Sequence, residues 1–286
     1  MHRIAFATSP ELPELDADDR LALEPLGRRG VEVVPAVWSD PAVDWGAFEL
    51  VVVRSCWDYH LEPEAFRAWI ERLADAGLPV QNPPPVLRWN LDKHYLRELE
   101  EAGVPIAPTV WLPRGAAADL RAILAERGWS EAVVKPAVSL SAHGTWRTRR
   151  GSAAADQGRL ERALAGGAML VQRFLGEIVS EGEWSLTFLR GRFSHGVLKR
   201  PAAGDFRVQH EHGGERLARE PEPALVRQAR AVLERVEAAC LYARVDGVRI
   251  EGRLVLMELE LIDPQLYLAQ DPGAPERFAA AIDAEL

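Results

Sequence analysis

Apolar runs alternate with amphipathic stretches over the first 85 residues, and that alternation predicts strands and helices in turn. Arg3 to Ala7 reads as a strand, Leu12 to Gly30 as a helix stopped by its glycine, and Val31 to Val37 as a second strand. Leu50 to Val53 is apolar at every position, as in a strand covered on both faces. Glu62 to Ala76 carries apolar residues at helical spacing up to Gly77, and Leu78 to Gln81 makes a fourth strand. This βαβ order predicts a mainly parallel sheet. Pro83-Pro84-Pro85 breaks the pattern, so residues 1–85 form the first predicted unit.

Residues 86–170 form a second unit. It holds helices at Lys93 to Ala102 and Ala116 to Arg127, a Pro-flanked link at Val104 to Thr109, a strand at Ala132 to Lys135, and a polar loop, Ser139 to Thr145. The Ala/Gly-rich stretch 151–168 reads as a mobile surface segment. The third unit, 171–286, follows a strand at Ala168 to Phe174 and is mostly strand: Glu183 to Arg190, Arg192 to Leu198, Val248 to Ile250 and Leu254 to Leu261. One long helix, Pro223 to Ala239, interrupts it. The predicted fold class is α/β, grading into α+β in the last unit.

Composition narrows the function. With 34 basic and 43 acidic residues among 286, the net charge is −9. That balance argues against nucleic acid or an anionic membrane as partner, because both reward clustered Lys and Arg. Two cysteines, Cys56 and Cys240, make neither a disulfide framework nor a zinc site, so the cytoplasm is the expected location. The N-terminus has no signal-peptide apolar region, and no apolar run of membrane-spanning length occurs. The P-loop pattern and the G-x-G-x-x-G dinucleotide turn are both absent. A homo-oligomer is left open.

Candidate chemistry begins near the C-terminus. Asp246 lies in one apolar stretch, and Glu258 and Glu260 alternate along another, LVLMELELI. Period 2 puts both glutamates on one face of a strand. Three carboxylates from adjacent strands make a hard oxygen site suited to Mg²⁺ or Mn²⁺ with phosphate oxygens; a solvated strand face shows the same alternation. Lys135 sits at the exit of an apolar strand, before a loop where Ser139, Ser141 and Gly144 offer hydroxyls and close backbone amides to phosphates. Lys93 stands at a helix start. In MLVQRFLGEI the strand breaks after Phe174, freeing backbone groups for an adenine edge while Leu175 and Ile178 pack on its face. The segment HGVLKRPAAGDFRVQHEHGG sets Lys199, Arg207, Gln209 and Gly213-Gly214 in a cationic region that calls for an anion.

Taken in order, these motifs resemble the ATP-grasp superfamily in its glutathione-synthetase-like branch, over about residues 48–270. QNPPPVLRWNLDKHYL resembles the branch's N-x-P … N-x-K stretch, and VVKP its second lysine. KRPAAGDFRVQHEHGG resembles the R-x-P … G-x-x-R-x-N-x-x-x-G-G register, with Lys199 for the usual Arg and Gln209 for the usual Asn. RVDG followed by ELE resembles the metal triad, with Glu260 for the usual Asn. VVVRSCWDY, GEWSLTFL and ELELIDPQLYL resemble the small ligases typified by O-ureido-serine cyclo-ligase.

The resemblance implies an ATP-grasp fold behind a Rossmann-like N-terminal domain. It implies an ADP-forming carboxylate–amine ligase working through an acyl phosphate, with ATP and two Mg²⁺ or Mn²⁺ ions held by Asp246, Glu258 and Glu260. ATP falls to Lys93, Lys135, Ser139, Ser141, Gly144, Gln172, Arg173, Phe174, Leu175 and Glu183. Arg207 and Lys199 are the catalytic cations, and the 106–170 region is the closing lid. The substrate, a small-molecule carboxylate with its nitrogen nucleophile, falls to Gln209, Gly213, Gly214 and the RSCWDY loop, because ligands bind past the carboxyl ends of parallel strands. In that loop Arg54 is assigned a carboxylate and Asp58 an ammonium, beside Trp57 and Tyr59. Intramolecular and intermolecular ligation use the same groups, and a binding protein without catalysis is the alternative from another class.

Overall fold

The computed structural model describes residues 1–208 and 213–286. The first unit is a parallel sheet of β1 (His2–Thr8), β2 (Val31–Val37), β3 (Leu50–Ser55) and β4 (Val80–Gln81), in the order β2-β1-β3-β4. Both faces of β1 are buried. Ile4 and Phe6 pack in a core with Phe278 and Ile282, while Ala5 and Ala7 meet Phe66, Trp69 and Ile70. That double burial explains the unbroken apolar runs. Helix α1 (Leu23–Arg28) is much shorter than the periodicity predicts. Leu15 takes a left-handed φ of 68°, and only a 3₁₀ turn, Asp19–Ala22, precedes the helix. The aspartates here turn inward: Asp18 accepts from the amides of Leu268 and Ala269, each at 2.9 Å, and Asp19 pairs with Arg54. Helix α2 (Pro63–Asp75) follows β3 as expected.

The triple proline starts a helix instead of ending all structure. Helix α3 (Pro84–Asn90) has proline in its first turn, where a missing N–H costs nothing. After α4 (Tyr95–Glu101), an antiparallel sheet forms from β5 (Thr109–Leu112), β6 (Glu131–Pro136), β7 (Trp146–Arg149) and β8 (Met169–Arg173), in the order β5-β8-β6-β7. Helix α5 (Leu120–Glu126) lies between β5 and β6, and α6 (Ala153–Gly166) between β7 and β8. The stretch 151–168 is therefore mostly ordered helix. Its alanines hide a real apolar stripe, for Leu160 and Leu164 pack on Ala132, Val134, Met169 and Val171. Alternation along β6 leaves Val133 and Lys135 on the opposite face.

Past the short α7 (Glu177–Ser180), the last sheet is antiparallel: β9 (Glu183–Leu189), β10 (Arg192–Arg200), β11 (Glu215–Ala218), β12 (Tyr242–Ile250) and β13 (Arg253–Glu260), in the order β11-β10-β9-β12-β13. Helices α8 (Pro223–Leu233) and α9 (Ala274–Asp283) complete the chain, α8 ending well before Ala239. Strands β12 and β13 pair with a bulge: Asp246 faces Glu258, but Gly247 faces Leu256. The extra residue shifts the phase of β13. Leu254 and Leu256 pack in one core, and Leu259 and Leu261 join the same core after the shift. Glu258 and Glu260 are thereby turned to the other face. A Cβ on Gly247 would stand 2.6 Å from the Val255 carbonyl oxygen, so only glycine fits this close approach. No helix among the described residues is long and apolar enough to cross a membrane.

Candidate active site

The bare face of the β5–β8 sheet and the bulged face of the last sheet enclose one cleft. From the first sheet come Lys135 and Val133, with Gln172 to Leu175 at the end of β8; from the second come Glu183, Lys199, Arg244, Asp246, Glu258 and Glu260. The loop at Ser139 and Ser141 and the segment at Arg207 close its sides.

Lys93 is fixed by its surroundings. Its amide donates to the Ala137 carbonyl at 2.9 Å, and its Nζ reaches the Ser139 carbonyl at 2.6 Å and Glu258 Oε1 at 3.1 Å. Asn90, three residues earlier, donates to the Leu259 carbonyl and accepts from the Leu261 amide, both at 2.8 Å. The N-x-x-K spacing thus clips the helix to the end of β13 and delivers the lysine to the cleft. Lys135 has no ion-pair partner within reach among the described residues, and burial pushes its ammonium below the ordinary lysine range although Glu258 pulls it back. Ser141 and Ala142 take left-handed φ values of 48° and 57°, followed by Gly144 at 67°. Gly144 shapes this turn, where a Cβ would sit 3.0 Å from Pro136, and does not itself line the cleft.

The amides at the end of β8 are less free than the sequence suggests. Arg173 donates to the Pro108 carbonyl at 2.8 Å and Phe174 to the Glu131 carbonyl at 3.2 Å. The Phe174 ring is covered by the Arg147 guanidinium, 3.7 Å from its centroid, and meets Phe206 edge-on. Leu175 and Ile178 are buried beside them.

The acids divide into two sets. Asp246 accepts from Ser185 Oγ at 2.7 Å, Lys199 Nζ at 3.1 Å and Arg244 Nη2 at 2.9 Å. Burial opposes its charge, yet Arg244 and Lys199 hold its carboxyl down to about 2. Lys199 also meets Glu183 Oε1 at 2.6 Å, and these acids outweigh burial to keep the ammonium protonated. Glu260 touches Arg244, but burial and the charges of Asp246 and Glu258 push its carboxyl up to about 7. Among the described residues, no three His, Cys, Asp or Glu side chains gather as one metal site. Asp246 is committed to its cations, which leaves Glu258 and Glu260 as partly exposed oxygens. That donor set does not fit an all-protein cage. It fits a divalent ion bound through one or two carboxylates and completed by phosphate oxygens.

The substrate set needs correction. Arg54 is buried in the core: Nε and Nη2 donate to Asp19 at 3.0 and 2.7 Å, Nη2 also reaches the Pro264 carbonyl, and the guanidinium lies over Tyr242. It holds two parts of the chain together and does not reach the cleft. Asp58 accepts from Trp38 Nε1 at 2.8 Å and is not a cleft residue either. Tyr59 stacks on Phe66 at 5.0 Å and borders only a small side cavity, whereas Trp57 does line the cleft. Gly213 and Gly214 lie just before β11, outside the cleft lining, and Gln209 lies outside the described residues. The sequence reading missed Arg244, Arg216, Asp263 and Tyr267, all of which line the cleft. Arg216 and Arg244 each stand 5.1 Å from the Tyr267 ring centroid. Arg244 left a signal in its spacing, two residues before Asp246 and hence on the same strand face, and Asp263 and Tyr267 lie in the stretch ELELIDPQLYL that carries the resemblance.

Residues 4–82 match the N-terminal domain of D-cycloserine synthetase DcsG. The cycloserine biosynthesis protein DcsG of Streptomyces lavendulae is 31% identical over 98% of this chain and 97% of its own. The chain belongs to the DcsG family of ATP-grasp ligases. The crystal structure of D-cycloserine synthetase DcsG superposes with a TM-score of 0.89 at 30% identity, covering 99% of each chain. Two more distant structures share the fold. One is D-alanine–D-alanine ligase from Bacillus anthracis with ATP (TM-score 0.71, 14% identity, 100% and 99% covered). The other is an ATP-grasp RimK domain protein from Sphaerobacter thermophilus (TM-score 0.70, 20% identity, 98% and 99% covered). As a DcsG-family protein, the chain is an ATP-dependent ligase acting on small molecules, and ATP-grasp ligases use ATP with divalent ions.

Proposed function

We propose that this ligase closes a ring within one amino-acid derivative of the O-ureido-serine type. ATP would lie between the two antiparallel sheets, with Lys93 and Lys135 on its phosphates beside the Ser139–Ser141 loop, and with Gln172 to Leu175 and Glu183 around the base and sugar. A substrate carboxylate oxygen attacks the γ-phosphorus, the bond to the bridging oxygen breaks, and ADP leaves. A nitrogen of the same molecule then attacks the acyl carbon, loses its proton, and expels phosphate. Lys199 and Arg207 face the charge that develops in both steps, where positioned donors contribute most. Two Mg²⁺ ions, when bound at Glu258 and Glu260, would neutralise the phosphate oxygens. The reading keeps three units, 1–85, 86–170 and 171–286, with β8 lent to the middle sheet.

One observation carries it. Two buried lysines, Lys93 and Lys135, and two partly exposed glutamates, Glu258 and Glu260, share a single cleft in a chain similar along its whole length to a cycloserine synthetase. The test is ADP release with O-ureido-serine, followed by mass spectrometry. A cyclic product in step with ADP supports ring closure. ADP release with a linear, two-substrate product would replace it with intermolecular ligation.

A further inference from the structure

Five consecutive carbonyls beyond β13 are each held by a side chain from elsewhere. Ile262 accepts from the Tyr242 hydroxyl at 2.8 Å, Asp263 from Trp57 Nε1 at 3.1 Å, and Pro264 from Arg54 Nη2 at 2.8 Å. Gln265 accepts from Arg244 Nη1 at 2.8 Å and Leu266 from the Thr187 hydroxyl at 3.2 Å. The carbonyls of this segment are thus all engaged. The side chain of Asp263 is different. It is 3% exposed, lines both the main cleft and the small cavity beside Tyr59, and its Oδ2 is buried with no hydrogen-bond partner among the described residues.

A buried carboxylate oxygen without a donor is costly, and more so when charged. Burial first, then the charges of Glu260, Asp19 and Asp58, pushes the Asp263 carboxyl well above the usual carboxylate range, so its charged form needs a cation brought in from the cleft. Arg54 offsets this in part, but its Nε and Nη2 donate to Asp19 and Pro264, and its Nη1, also buried without a partner among the described residues, makes no hydrogen bond to Asp263. A pinned, donor-starved carboxylate in a cleft wall fits a small cation that brings N–H donors.

We propose that Asp263 is the docking group for the substrate's ammonium, the role that the sequence pattern gave to Asp58. The inference rests on the reading of the cleft as a ligase site for an amino-acid derivative. Asp263 touches the non-reacting end of the substrate and sets which acids are accepted. Trp57, whose indole holds the Asp263 carbonyl, forms the adjoining wall.

The test uses the full chain with AMP-PNP and Mg²⁺ and two probes, O-ureido-serine and its analogue lacking the amino group. Calorimetry gives Kd for each with wild type, Asp263→Asn and Asp263→Glu. One charge-assisted hydrogen bond predicts that wild type prefers the amine by roughly tenfold to hundredfold. Asp263→Asn should lose most of that preference while its Kd for AMP-PNP and for the desamino probe stay the same. Asp263→Glu should keep part of the preference, and it carries the test if the asparagine variant does not fold. Equal wild-type affinity for the two probes overturns the inference, as does a preference unchanged in Asp263→Asn. So does a variant whose only change is a higher Mg²⁺ requirement, which would make Asp263 a metal ligand. An amine preference lost in Asp263→Asn, with no ADP release from ATP in wild type, supports the docking site and overturns the ring-closing function instead. Binding of neither probe overturns both.

Discussion

Lys199 Nζ stands 3.1 Å from Asp246 Oδ2, and Arg244 Nη2 meets the same oxygen at 2.9 Å. One buried carboxylate therefore joins two cations that face the cleft. Removing one member of a buried ion network leaves charge uncompensated, at a cost of about 3–5 kcal/mol. Lys199 keeps Glu183 and Arg244 keeps Glu260, so Asp246→Asn should fall near the low end, about 3 kcal/mol. Its carboxyl is held at about 2, below the unfolded value of about 3.9. The stability it adds is thus complete above the unfolded value and lost as pH falls through 2. Denaturant unfolding of wild type and Asp246→Asn should differ at pH 7 and converge in strong acid.

Arg54 belongs to the same kind of chemistry but in a different place. Its pairing with Asp19 and its position over Tyr242 make it a strut between the parallel sheet and the segment after β13. Arg54→Met should lower the melting temperature sharply, with any rise in substrate KM accompanying that loss because Arg54 holds the carbonyl next to Asp263. A raised KM with unaltered stability would return Arg54 to the substrate.

Much of this was legible in the residues. Lys93, Lys135, Lys199, Glu258 and Glu260 reach the cleft because each sits at a strand exit, a helix start or an alternating strand where periodicity settles the face, and Arg207 reaches it from the irregular segment between β10 and β11. The substrate wall was not legible. Arg54, Asp58 and Tyr59 follow a parallel strand as ligand-binding residues often do, but Asp19, Trp38 and Phe66, remote in sequence, claim their side chains. Asp263 carried no periodic signal at all, since it follows the end of β13. Likewise α6 was hidden because alanine and glycine mask the buried Leu160 and Leu164.

The bulge at Gly247 turns Glu258 and Glu260 toward the cleft, and glutamine would keep their volume but not their charge. Glu258→Gln and Glu260→Gln should each reduce kcat by at least about 10²-fold and raise the Mg²⁺ concentration needed for half-maximal rate. Near-normal turnover at limiting Mg²⁺ in either variant would remove that residue from the metal site.

Arg207 lines the cleft with its guanidinium against Asp205, Nη2 to Oδ2 at 2.8 Å. In Arg207→Lys the charge remains and the planar two-donor fork is lost. If the fork stabilises charge that develops only during transfer, kcat should fall by roughly 10²–10³ while ATP Kd barely changes. Unchanged kcat with weakened ATP binding would make Arg207 a ground-state clamp.

The central claim is that the substrate's own carboxylate takes the γ-phosphoryl group before the C–N bond forms. O-ureido-serine labelled with ¹⁸O in its carboxylate reads this out directly, because the acyl phosphate must carry one of those oxygens away. The account predicts one ¹⁸O in each inorganic phosphate released with ADP, measured by mass spectrometry or by the phosphorus isotope shift. Ring closure with unlabelled phosphate, or with the label in AMP, would contradict it.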